Sequence, residues 1–360
     1  MESPHTVCRS VDRVRPDAAV IADAAQLLRA GKLVVFPTET VYGLGAHALD
    51  AEAVAGIFAA KGRPSTDPLI VHVAHAGALA SLAREIPETA RALAARFWPG
   101  PLTLIVPKRT EVPDIVTAGL DTVAVRVPAH PVALALLTVA GVPVAAPSAN
   151  RFSRPSPTTA AHALFDLAGR VDLVLDAGPT DIGVESTIVD CTVSPPVVRR
   201  AGGVPFDVLA EVVPGLRVAQ TVADVATAQV APGQLLRHYA PNARLTVYTG
   251  APVAVVARLA VEIRRHVGQG ARVGVLAPDD DLLALAPEIA AAAARGRVVP
   301  ASLGKRHDPT AAARALFAAL RALDASEVDV IVASGPVLSG LGAAVWDRLR
   351  RAAEGRVVPV

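Results

Sequence analysis

Lys61 and Arg63 stand on either side of Gly62, and Pro64 follows. Proline disfavours helix in the residue before it, so the two cations fall at a helix end or on the loop beyond. The stretch around them, 36–72, reads FPTETVYGLGAHALDAEAVAGIFAAKGRPSTDPLIVH. It opens off an apolar run at 33–36 that reads as a buried strand, and it returns to a second strand at 68–72. A polar turn, Thr38-Glu39-Thr40, and a glycine turn, Tyr42-Gly43-Leu44-Gly45, follow the first strand. A helix capped by Asp50 comes next, with Val54, Ile57 and Phe58 on one face. Two strand ends, a glycine turn and a Lys-x-Arg pair in so short a stretch point to a site for a polyanion, most simply a nucleoside triphosphate.

Other polar groups also fall at strand ends. Arg126 lies in an alternating apolar run, 122–128, that places Thr122, Ala124 and Arg126 on one face. A lone charge there is costly unless it is paired or binds an anion. Ser148 and Asn150 follow a buried strand at 142–146, Gly183 to Thr187 lead into another, and Arg199 and Arg200 end a third. Each alone reads as a surface charge or turn residue. Together they recur where α/β sheets place ligands. Other chemistries find less support. Gly43-x-Gly45-x-x-Ala48 matches the dinucleotide fingerprint in letters, but Pro37 to Tyr42 intervene after the strand and no acid ends the second strand. No G-x-x-x-x-G-K-[ST] or G-x-S-x-G occurs, which removes a P-loop and an activated-serine elbow. His72 and His75 do not share a face on a strand, so a structural or substrate-contacting role for His72 is preferred to a metal site, and no metal ligands are assigned.

The chain has 360 residues, 52% hydrophobic and 19% charged, a globular composition with room for two domains. Aromatic residues make up 3%, so the core is built of small aliphatic side chains. The net charge of +2 gives no reason to expect broad nucleic-acid binding. Cys8 and Cys191 are the only cysteines, which leaves no disulfide framework and fits a reducing, cytoplasmic setting. The longest uncharged apolar stretch, 131–147, is interrupted by Thr138, Gly141 and Pro143 and reads as a helix and strand, not a membrane span. The N-terminus carries no apolar signal region, which argues against secretion.

Helices are expected at 17–30, at 76–97 with a break at Pro87, and at 130–140, with a further helix starting near Thr158. Strands are expected at 102–106, 122–128, 142–146, 171–176, 186–190 and 196–200. Several neighbouring strands lack an intervening helix, so a mixed sheet is expected. Regularity fails from 208 to 243, rich in proline and glycine, which reads as a linker bearing the polar cluster Arg237-His238-Tyr239. After it, strands at 245–248, 272–276, 297–299 and 328–332 alternate with helices at 252–267, 281–295, 309–323 and 341–353. That alternation predicts a small parallel, Rossmann-like domain. The expected division is 1–207 catalytic, 208–243 linker or lid, and 244–360 C-terminal.

At these residues the sequence resembles the YrdC-like family, the threonylcarbamoyl-AMP synthases, in its long two-domain form. The resemblance rests on FPTETVYGLG at 36–45, KGRPSTDPLIVH at 61–72, FWPGPLTLIV at 97–106, VAVRVP at 123–128, APSAN at 146–150, SPT at 156–158, DAGPTDIGVESTIVD at 176–190 and APGQLLRHYAP at 231–241. It implies a twisted mixed α/β sheet with flanking helices plus the smaller parallel domain. It implies a nucleotidyltransferase that joins L-threonine, bicarbonate and ATP, with Mg²⁺ on the phosphates, into threonylcarbamoyl-adenylate and diphosphate. The product would pass to a tRNA threonylcarbamoyl transferase acting on adenosine 37 of tRNAs reading ANN codons, with at most a weak tRNA contact by this chain. Carried over by motif, threonine would be bound by Thr40, His72, Arg126 and Ser186. ATP would be bound by Lys61, Arg63, Asp67, Thr122, Ala146, Ser148, Ser156, Arg200 and Tyr239, with Lys61 and Arg63 the catalytic cations and Tyr239 closing from the linker. Asp67 stands where the family commonly has Asn, and Gln234-Leu235-Leu236 stand where it commonly has Met-Lys-Tyr. A sister enzyme of metal-centre maturation, which carries Cys-rich zinc motifs, is disfavoured by the two lone cysteines. A non-catalytic RNA-binding role is disfavoured by the near-neutral charge and the lack of interleaved aromatics.

Overall fold

A computed structural model describes residues 6–219, 229–233, 238–293 and 296–360. The chain divides into two compact units, Met1–Phe152 with Ser156–Leu235, and Ser153–Pro155 with Leu236–Val360.

The first unit is built on β1 (Val7–Ser10), β2 (Val34–Phe36), β3 (Gly43–His47), β4 (Ile70–His72), β5 (Leu102–Pro107), β6 (Thr122–Arg126), β7 (Val144–Ala145), β8 (Leu173–Asp176), β9 (Thr187–Asp190), β10 (Val197–Arg200) and β11 (Arg217–Val218). They form one sheet in the order β1-β8-β2-β3-β7-β4-β6-β5-β9-β10-β11. The sheet is mixed, as expected. β4 runs parallel to β6 and β5 parallel to β9, whereas β5 and β6 are antiparallel. Helices begin where sequence chemistry supplies a cap. The Asp17 carboxylate accepts from the N–H groups of Ala19 and Val20 at the start of Ala18–Arg29, and Asp50 does the same for Glu52 and Ala53 at the start of Ala51–Lys61. Gly62 ends the latter helix at φ 65°, a left-handed conformation natural to glycine.

Two expectations are corrected here. Gly43 and Gly45 do not make a turn; they lie in β3, antiparallel to β2 and β7. The glycine at 45 serves packing, since a Cβ there would meet the Phe36 ring at 2.8 Å and Val144 Cγ1 at 2.9 Å. The break expected at Pro87 is present, with the helix Glu88–Phe97 starting just after it, but the part before it is a short 3₁₀ segment, Ala76–Ser81, and not an α-helix. The stretch from 208 also begins inside a helix, Phe206–Val212, and contributes β11.

Side-chain alternation gives the central strands two different faces. Val71, Leu104, Val106, Val123, Val125 and Val189 belong to the main core. Ile70, Ala124, Ile105 and Ile188 point the other way, into a small cluster completed by Ala231. By the period of two, that second face also carries His72, Thr122, Arg126, Thr103 and Ser186.

The second unit is a parallel sheet of β12 (Arg244–Thr249), β13 (Val273–Ala277), β14 (Val298–Ser302), β15 (Val330–Ser334) and β16 (Val357–Pro359), in the order β14-β13-β15-β12-β16. All its pairings are parallel, as the strict alternation predicts. The single helix expected at 281–295 is two, Asp279–Ala284 and Ala286–Ala293, with Pro287 in the first turn of the second. Among the described residues no helix is long and apolar enough to cross a membrane.

Candidate active site

Arg126 ends β6 and is 4% exposed. Its guanidinium is held from three sides. Nε donates to the Gly100 carbonyl at 3.2 Å, Nη1 donates to Thr40 Oγ1 at 2.9 Å, and Nη2 lies 2.7 Å from Glu39 Oε1. Thr40 is set in turn by Thr38, whose hydroxyl is 2.8 Å from that of Thr40 and donates to the Val41 carbonyl at 2.6 Å. The cost of burying a cation is thus met by an acid and two neutral acceptors. His72 ends β4 in register with Arg126. Burial first, and Arg126 second, push its pKa down to about 3, so the ring is neutral at physiological pH. Ser186, just before β9, shares a hydrogen bond of 2.7 Å with Thr103 of β5. All four residues expected to contact threonine therefore lie on buried backbone around one sheet face.

The cations gather on the same face. The Lys61 ammonium donates to the carbonyls of Ser148 and Asn150, which ties the end of Ala51–Lys61 to the loop after β7. Arg63 donates through Nε to the Asp67 carbonyl at 3.0 Å and through Nη2 to the Pro68 carbonyl at 2.7 Å. Its guanidinium also lies 2.9 Å from the Asp67 carboxylate. Arg200 ends β10 and donates to the Ser186 carbonyl at 2.9 Å and to the Pro232 carbonyl at 3.3 Å. The acid at 67 thus meets a cation. Burial pushes its pKa up, against the pull of Arg63, Lys61, Arg200 and the Gly233 N–H.

Of the remaining expected residues, Ala146 is fixed by its N–H to the Ile70 carbonyl at 2.9 Å, and Ser148 bridges to Gly43. Ser156 donates to Glu185 Oε1 at 2.5 Å. Thr122 shares the face of Arg126 but sits at the other end of β6, about 13 Å away at roughly 3.3 Å per residue. Tyr239 belongs to the second unit, where its ring packs at 5.3 Å from that of Phe317 and beneath Arg348. Residues 229–233 belong to the first unit. The Gln229 N–H donates to the Thr66 carbonyl at 2.9 Å, and Ala231 is buried on Ile70, Ile105, Ala124 and Ile188. Arg237 and the Gln234-Leu235-Leu236 run lie outside the described residues. Glu39, Thr103 and Glu185 were missed from sequence. Each sits beside a quoted motif residue, but only the fold shows which partner it meets.

Buried cations gathered at the ends of a mixed sheet, beside a buried arginine held from three sides, make a site suited to an anionic ligand. A family profile described as Telomere recombination, covering Sua5, YciO and YrdC, matches residues 26–202, and one described as Threonylcarbamoyl-AMP synthase, C-terminal domain, matches residues 204–354. The threonylcarbamoyl-AMP synthase of Pyrococcus abyssi is 45% identical over 97% of this chain and 98% of its own length. That of Bacillus subtilis is 42% identical over 96% of each. The crystal structure of P. abyssi Sua5 complexed with L-threonine matches with a TM-score of 0.89, at 45% identity, over 98% of this chain and 99% of that one. The chain belongs to the threonylcarbamoyl-AMP synthase family.

Proposed function

We propose that the chain joins L-threonine, bicarbonate and ATP into L-threonylcarbamoyl-adenylate and diphosphate. The observation that carries this reading is the meeting, on one sheet face, of an arginine fit for a carboxylate and three cations fit for a triphosphate. The amine of threonine and bicarbonate give a carbamate and water. A carbamate oxygen then attacks the α-phosphorus, and diphosphate leaves. No enzyme nucleophile is required; positioning and charge stabilisation suffice. Arg126 orients the amino acid through its carboxylate, and neutral His72 and Ser186 line the same pocket. Lys61, Arg63 and Arg200 offset the charge of the phosphates, with Thr122, Ala146, Ser148 and Ser156 along the nucleotide. Mg²⁺ neutralises part of that charge when bound. The phosphates and water would supply most of its ligands. The segment 229–233 acts as a lid that keeps water from the labile product. The product is handed, in the cytoplasm, to a transferase that modifies adenosine 37 of tRNAs reading ANN codons.

The test is diphosphate release from ATP and Mg²⁺, with L-threonine and bicarbonate omitted in turn. Release that needs both supports the reading; release without threonine overturns it. Asp67 provides a second check. ATP must share Arg63 with this carboxylate, whose own charge opposes the phosphates. Asp67→Asn removes one negative charge, worth on the order of 1 kcal/mol at such a site, and lowers the KM for ATP by about three- to tenfold. An unchanged or raised KM would show that the acid serves the nucleotide, for instance through its metal.

A further inference from the structure

We infer that Glu39 binds the ammonium group of the amino-acid substrate, so that Glu39 and Arg126 together recognise a zwitterion. The inference rests on the threonine reading above and adds a residue to it.

Glu39 lies in the turn after β2 and is 6% exposed. Its position is fixed at the backbone, where its carbonyl accepts from the Ile182 N–H at 2.9 Å. One carboxylate oxygen, Oε1, lies 2.7 Å from Arg126 Nη2. The other, Oε2, is buried and has no hydrogen-bond partner among the described residues. A buried carboxylate oxygen left without a donor is expensive, and such atoms call for a missing partner. Threonine supplies one. Its ammonium and carboxylate are attached to the same carbon, so a substrate whose carboxylate lies on Arg126 places its nitrogen within a few ångströms of the acid paired with that arginine. The guanidinium has five N–H donors; Gly100 and Thr40 accept from Nε and Nη1, and Nη2 is ion-paired with Glu39 but makes no hydrogen bond to it. At least one hydrogen on each Nη is left for a substrate carboxylate. The pair Glu39–Arg126 is then matched charge for charge by the substrate, and neither buried ion depends on water. When the ammonium gives up a proton to solvent and the amine condenses with bicarbonate to release water, the carbamoylated nitrogen retains one N–H, which Oε2 accepts in the same place.

This makes Glu39 the group that tells an α-amino acid from a 2-hydroxy acid. The test compares L-threonine with its 2-hydroxy analogue, the 2,3-dihydroxybutanoate of matching configuration, by calorimetry on the full chain. The wild type binds threonine more tightly. In Glu39→Gln the affinity for threonine falls by roughly ten- to hundredfold, as expected for loss of a charged hydrogen bond, while the analogue changes by less than about threefold. Glu39→Asp keeps the charge and retains a preference for threonine, and it serves in its place if the glutamine variant does not fold. Parallel losses for both ligands would mean that Glu39 acts only by holding Arg126, and would overturn the inference while leaving the synthase reading intact. A wild type that binds threonine no better than the analogue overturns it as well. A wild type that binds neither ligand, in the presence or absence of ATP, overturns both readings.

Discussion

Arg126→Ala lowers kcat/KM for L-threonine by about a thousandfold or more, with ATP binding retained. The argument starts from the three anchors of the guanidinium. Gly100, Thr40 and Glu39 fix its plane before any substrate arrives, so little side-chain entropy is lost when a carboxylate docks. A charge-assisted bidentate contact in a buried pocket is worth several kcal/mol, and about 4 kcal/mol is a thousandfold. Truncation also leaves Glu39 buried without its counter-ion. Breaking a buried pair in this way costs about 3–5 kcal/mol of stability, so the melting temperature falls as well. Arg126→Lys separates the two effects. It keeps the charge beside Glu39 and restores much of the stability, but it cannot present the planar fork and stays at least tenfold impaired for threonine. Diphosphate release at varied threonine, together with thermal melts of the same samples, checks both. A lysine variant with full activity would show that Arg126 contributes charge alone.

Much of the site was legible because local chemistry marks strand and helix ends. Asp50 was readable as a cap, Pro64 as a bar to helix at Arg63, and Arg126 as a charge that needed a partner. The identity of that partner was not readable. Glu39 looked like a turn residue, and only the order β2-β3-β7-β4-β6 brings its loop to the end of β6. The same holds for β3. Gly43 and Gly45 carry strong turn propensity, yet close approach of Phe36 and Val144 overrides it, and nothing within the segment announces those neighbours. Residues 229–233 make the point from the other side. Proline and glycine mark them as irregular, which they are, but their seat on Ile70, Ile105, Ala124 and Ile188 depends on a face assembled from four separate strands. Periodicity reads what a residue does within its own element. It is silent on contacts made between elements far apart in the chain, and those contacts decide register and charge pairing.

Lys61→Ala lowers kcat/KM for ATP by about a hundred- to a thousandfold and lowers stability at the same time. Lys61 is 3% exposed at the end of Ala51–Lys61, and its ammonium donates to the Ser148 and Asn150 carbonyls. Two roles are therefore combined in one group. As a cation near Asp67, Arg63 and Arg200 it stands among the groups proposed to meet the phosphates; as a donor it shapes the loop that carries Ala146 and Ser148. Alanine deletes both, and the abandoned carbonyls each lose a charge-assisted bond, at about 1–3 kcal/mol. The roles part in the kinetics. If Lys61 acts on the phosphates, the loss persists at saturating ATP, because charge that develops on the departing diphosphate is no longer offset and kcat falls with kcat/KM. If Lys61 only braces the loop, the KM for ATP rises, kcat recovers at saturation, and the loss follows the drop in melting temperature. Single-turnover diphosphate release at saturating ATP, threonine and bicarbonate distinguishes the two. The convergence of three cations on Asp67 favours the first: a purely structural lysine needs the two carbonyls but has no reason to stand in a field already so positive, whereas a triphosphate has every reason to be met there.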